Sequence, residues 1–150
     1  MTDPGETGVM SNDAYDPRFL DGVRYFNLRD FFEAHESWED LWTDYQGPLR
    51  RFYQGLIQVA VCLHHFGNGN MHGTRKLYYS SVAYLEKYGA HQDGVNLVQL
   101  LAELKACCQP VIDQGEPLTR VEIQLELVPE IHLDPPPTAC SSNDAVTPGD

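Results

Sequence analysis

The stretch FFEAHESWEDLWTDY, residues 31–45, decides the fold. At about 100° per residue, Phe31, His35, Trp38 and Trp42 run along the middle of one apolar stripe, with Ala34, Leu41 and Tyr45 beside it. Glu39 lies at the other edge of the stripe next to Phe32, Glu36 farther toward solvent, and Glu33, Ser37 and Asp44 face outward. Such a stripe is an amphipathic helix that needs partners. Asp30, followed three residues later by Glu33, supplies a capping-box-like start, and Gly47-Pro48 breaks the period.

Outward from this helix the same signals repeat. Asp16-Pro17 offers an N-cap and a proline at the first helical position, so a helix is predicted from about residue 17 to 28. LRRFYQGLIQVAVCLHHF, residues 49–66, is apolar almost all round and is predicted to be the central helix, ended by Gly67-Asn68-Gly69. Asn70 caps a fourth helix over about 71–88, ended by Gly89. Asn96 with Gln99 opens a fifth, which Pro110 is expected to stop or kink. Connections of two to eight residues make sequential helices antiparallel neighbours. The expected fold is therefore all-α: a single-domain antiparallel bundle of about five helices over residues 16–115. A flexible N-terminal arm over 1–15, an extended C-terminal arm over 116–133 and a disordered tail over 134–150 complete the expected organisation. VEIQLELV, residues 121–128, alternates like a strand but has no second strand to pair with, so it is read as an arm lying on the bundle or on a partner.

Composition narrows the function classes. A chain of 150 residues is one ordinary domain, able to bury roughly 70% of its unfolded surface. No apolar run reaches the ~20 residues that span a bilayer, and the acidic start has no leader character, so the expected location is the cytoplasm. The net charge of −12 disfavours nucleic acid and anionic membranes as partners. With 22 acidic against 10 basic residues, the chain suits a cytoplasm of very high salt. Its melting temperature is accordingly predicted to rise between dilute buffer and molar KCl; a flat or falling trend in a thermal scan would remove the halophilic reading. Cys62, Cys107, Cys108 and Cys140 form no CxxC pair and are expected to stay reduced, Cys62 and either Cys107 or Cys108 as small core hydrophobes.

One polar constellation stands out. Arg51, Gln54, Gln58 and His65 project within about 60° of one another on the central helix. Polar groups buried there need partners, and His35 and Glu39 on the preceding helix are the nearest complementary ones. A single polar pocket of His35, Glu36, Glu39, Arg51, Gln54, Gln58 and His65 is expected, with Glu39 neutralised by Arg51 and the four groups His35, Glu39, Arg51 and Gln58 energetically coupled. His64 falls on the apolar side, and His72, His91 and His132 receive no role. Gly55 and Gly73 inside helices are expected to permit close helix approach.

FN…FFEAHESWEDLW, RRFYQGLIQVAVCLHH and GNMHGTRKL together resemble the uncharacterised family called Domain of Unknown Function 309, over about Tyr25 to Leu85. The family pattern falls on Phe26, Asn27, Phe32, Glu33, His35, Glu36, Glu39, Trp42, Arg51, Gln54, Gly55, Gln58, His65, Asn70 and Gly73; Thr74 stands where alanine is common. The resemblance implies a compact helical fold and no established activity. Function is thus unknown from sequence. The preferred reading is a small helical binding or interaction module that takes a small polar ligand or a protein segment in the pocket around His35 and Glu39, with no metal and no cofactor. The alternative is a metal-dependent hydrolase on the HExxE face, in which His35, Glu39 and His65 hold the ion and Glu36 is the general base. Oligomeric state is not legible.

Overall fold

A computed structural model describes residues 15–137; of the arm expected over 1–15 it describes only Tyr15, which is buried against Phe19, and of the tail expected over 134–150 only residues 134–137, so that the rest of both, with Cys140, lies outside the described residues. Among the described residues five helices follow one another: α1 (Pro17–Asn27), α2 (Phe31–Asp44), α3 (Arg50–Gly67), α4 (Met71–Leu85) and α5 (Leu97–Ile112). Each of four N-caps does the work its residue type predicts. Asp16 accepts from the Arg18 amide, Asp30 from Glu33, Asn70 from Gly73 and Asn96 from Gln99.

Sequential helices pack on one another, with α3 between α2 and α4. This central position explains its nearly all-round apolar character: Phe52, Leu56, Val59, Ala60, Cys62 and Leu63 are wholly buried. Two glycines set how closely α4 approaches. A Cβ on Gly55 would lie 2.7 Å from the Leu85 side chain, and one on Gly73 would lie 2.7 Å from the His65 ring. The third close approach joins α1 to α2, where the Trp38 indole lies directly over Gly22 and donates from Nε1 to the Phe19 carbonyl at 3.1 Å.

Two expectations are corrected and one element is new. The fourth helix ends at Leu85 and passes into a single 3-10 turn over Glu86–Tyr88. Pro110 does not stop α5; the helix runs on to Ile112, because the amide that proline lacks costs one ladder bond in the last turn and the buried Val111 holds that turn on the core. Between α4 and α5 lies an unforeseen two-stranded hairpin, β1 (His91–Gln92) with β2 (Val95–Asn96). Its turn is Asp93-Gly94, both at positive φ, the conformation that suits a two-residue hairpin connection.

The segment after α5 lies on the bundle in irregular, extended form. Gln114 bonds Thr119, and Arg75 pairs with Glu116. Residues 121–124 are not a strand; a 3-10 turn covers Leu125–Leu127, and Val128 and Ile131 are buried. Asn27 at the end of α1 receives this strap: its Nδ2 donates to the Ile131 carbonyl and its Oδ1 accepts from the Ile131 amide, both at 2.8 Å. Among the described residues no helix is long and apolar enough to cross a membrane. Cys62, Cys107 and Cys108 are free and buried.

Candidate functional site

On α2, residues four apart share an edge, and His35 and Glu39 do so here. The His35 side chain is 18% exposed, and those of Glu36 and Glu39 are 52% and 50% exposed. Nδ1 of His35 stands 2.9 Å from the Phe32 carbonyl oxygen. A carbonyl can only accept, so Nδ1 is the donor, and in the neutral ring Nε2 is left with a bare lone pair. That Nε2 lies 3.8 Å from both Glu36 Oε2 and Glu39 Oε1. One ligand atom from each of the three residues falls within 4.8 Å of the others. Three acceptors therefore converge at a half-open edge, with the half-exposed Phe32 ring packed against His35 at 5.2 Å between centroids.

Arg51 does not neutralise Glu39, and the expected single pocket does not form as one buried network. Arg51 is exposed, with its guanidinium 5.9 Å from the Tyr84 ring of α4, and it lines a cleft of about 340 Å³ with Gln54, Tyr84 and Tyr88. The arginine that reaches α2 is its neighbour. Arg50 donates to the carbonyls of Trp42 and Tyr45 at 2.6 and 2.9 Å and stacks over the Trp42 ring at 4.0 Å. Carbonyls at a helix C-terminus lack intrahelical donors and attract a cation, so Arg50 satisfies the end of α2. One residue along α3 is a turn of about 100°, which carries Arg51 away from α2 toward α4.

His65 is also drawn to α4, where Nδ1 lies 3.3 Å from Asn70 Nδ2. Burial, with the neighbouring His64, holds its imidazole below the usual histidine range. Gln58 is half-buried, and its Oε1 is enclosed without a hydrogen-bond partner, as is Nε1 of Trp42. The seam of Arg51, Gln54, Gln58 and His65 is thus a half-exposed ridge of α3 tied at its ends to α4. Because Glu39 and Arg51 form no ion pair, their substitutions should add. A double-mutant cycle of Glu39→Gln and Arg51→Ala in urea unfolding is expected to show a coupling below about 0.5 kcal/mol; a coupling of several times that would restore the facing network.

His64 is half-buried, packed against Phe32 at 5.7 Å between ring centroids and bonded to Asn68. Beside it runs a groove of about 310 Å³ lined by Arg29, Phe32, Leu63, His64, Ile123 and Leu125, the last two from the C-terminal strap. A second polar cluster, absent from the sequence reading, joins Tyr53 to Asp93 of the hairpin turn at 3.3 Å. Burial pushes the Asp93 carboxyl up, and the bond donated by Tyr53 partly offsets this. The Asp93-Gly94 pair was its only sequence signal.

Comparison with known proteins falls on this region. Residues 19–77 match the family described as Domain of unknown function (DUF309). The match spans α1 to the middle of α4, and so contains the whole His35–Glu39 turn and the α3 ridge, while α5, the hairpin and the strap lie beyond it. The resemblance read from FFEAHE and QGLIQ is borne out. The chain is similar to the uncharacterized protein YpuF of Bacillus subtilis, with 35% identity over 65 residues, covering 43% of this chain and 37% of that protein. It is also similar to an uncharacterized protein of Aquifex aeolicus, with 28% identity over 81 residues, covering 53% of this chain and 24% of that one. The matched region is thus well under half of either relative's length. DUF309 carries no assigned activity, and the function of this chain is unknown from its relatives.

Proposed function

We propose that this DUF309 domain is a small helical binding module whose recognition face is the edge of α2 formed by Phe32, His35, Glu36 and Glu39, and whose ligand is a small polar group carrying positive charge. The observation that supports this is the convergence of the His35 Nε2 lone pair and two half-exposed carboxylates. Acceptors brought together without a donor repel one another and gain when a cation or a multiple donor enters. The flanking Phe32 ring adds an apolar wall on which the stem of an amine ligand can lie.

The hydrolase alternative lacks such support. His65, which that reading needs as a ligand, faces Asn70 at the start of α4, and Glu36, its general base, is itself one of the three converging acceptors. We further place the domain in a cytoplasm of high salt, on the strength of the acidic excess.

Spermidine titrated into 15N-labelled protein at moderate salt tests the recognition face. Shifts concentrated on residues 32–39, and lost in the Glu36→Gln/Glu39→Gln double variant, are the expected result. Shifts spread evenly over the acidic surface would contradict a defined site.

A further inference from the structure

Resting on that reading, we propose that the cation held by His35, Glu36 and Glu39 is a divalent transition ion of the zinc class. The ligand set is one imidazole nitrogen and two carboxylate oxygens. Imidazole suits zinc, iron and other transition ions, whereas calcium and magnesium prefer all-oxygen shells. The Nδ1–H of His35 is spent on the Phe32 carbonyl at 2.9 Å. Metal-binding histidines are oriented by such a bond, which fixes the tautomer and turns the free nitrogen to the ion. Here the free nitrogen is Nε2, and it looks toward Glu36 Oε2 and Glu39 Oε1 at 3.8 Å each.

That separation is too long for a hydrogen bond and close to what an ion requires. Bonds of about 2.1 Å in a tetrahedral shell set ligand atoms about 3.4 Å apart, so each glutamate need close on Nε2 by only a few tenths of an ångström, and the three ligand atoms already lie within 4.8 Å of one another. Both carboxylates are half-exposed and free to make that adjustment. The His35 backbone lies in the second turn of a capped 14-residue helix, so the nitrogen is presented from a rigid element. Three protein ligands leave a fourth position open to solvent. Arg51, the group expected to fill the site with its own positive charge, stands instead beside Tyr84.

The experiment uses the untagged full-length chain, stripped of metal, titrated with zinc chloride by calorimetry and followed in parallel by thermal unfolding. One saturable equivalent and a rise in melting temperature are expected. About a tenfold or greater loss of affinity is expected in His35→Ala and in Glu39→Gln, and no change in His132→Ala, which removes a surface histidine 3.1 Å from Glu130. Glu39→Gln is nearly isosteric and half-exposed, so it reports on binding even where His35→Ala unfolds. Weak binding at several sites, unaltered by Glu39→Gln, would overturn the proposal. Perturbation of His35 by spermidine with no zinc site would overturn the metal assignment and leave the recognition face standing; silence toward both would overturn the two together.

Discussion

Trp38→Ala is expected to lower the free energy of unfolding by about 4 kcal/mol, the middle of the range for truncating a buried aromatic side chain. Trp38 is wholly buried between α1 and α2, with its ring 5.8 Å from that of Phe26. Its Nε1 donates to the Phe19 carbonyl, and Gly22 leaves the space its indole occupies. Truncation opens a cavity that neither helix can close, because α1 is held at its start by Asp16 and at its end by Asn27. Gly22→Ala attacks the same contact from the other side, since its Cβ would meet the indole. The two substitutions should be less than additive, because the cavity left by Trp38→Ala accepts the new methyl. Urea unfolding of the single and double variants measures both effects, and a loss below about 1 kcal/mol in Trp38→Ala would show that the α1–α2 contact is not central to the fold.

The second large effect is expected at Asn27→Ala. One amide side chain there closes both polar groups of Ile131, 104 residues away, and so fastens the strap whose Val128 and Ile131 enter the core. Losing two hydrogen bonds and leaving the Ile131 groups unpaired is expected to cost about 2 kcal/mol. Asn27→Asp keeps the acceptor for the Ile131 amide, loses the donor for its carbonyl, and should fall between the two. The effect is local before it is global. Amide exchange at residues 125–133 should accelerate in Asn27→Ala while that of α3 changes far less. Unchanged protection along the strap would show that burial of Val128 and Ile131 alone holds it.

Much of this architecture was legible because its causes are local. Asp16, Asp30, Asn70 and Asn96 announce helix starts through bonds to amides two or three residues away. The apolar stripe of 31–45 identifies Ala34, Trp38 and Leu41 as core, and Gly55 and Gly73 sit at close approaches as expected. The His35–Glu39 pairing also follows from helix periodicity alone. What was not legible depends on the rotation of one helix against another. Arg50 and Arg51 are equivalent as letters; which of them meets α2 is settled by how α3 seats Gly55 on Leu85 and His65 on Gly73. The role of Asn27 could not be read from its neighbours, since its partner lies in a segment with no periodicity of its own. The hairpin was within reach, for Asp93-Gly94 is a turn signal that two short strands made easy to pass over.

Long-range 1H–15N correlation of the His35 ring tests most directly whether an open acceptor set faces outward from α2. At a pH where the ring is neutral, the proton should reside on Nδ1, bonded to the Phe32 carbonyl, and the bare Nε2 resonance should move when zinc or spermidine is added. A ring protonated on Nε2, with resonances that neither cation moves, would contradict the proposed site.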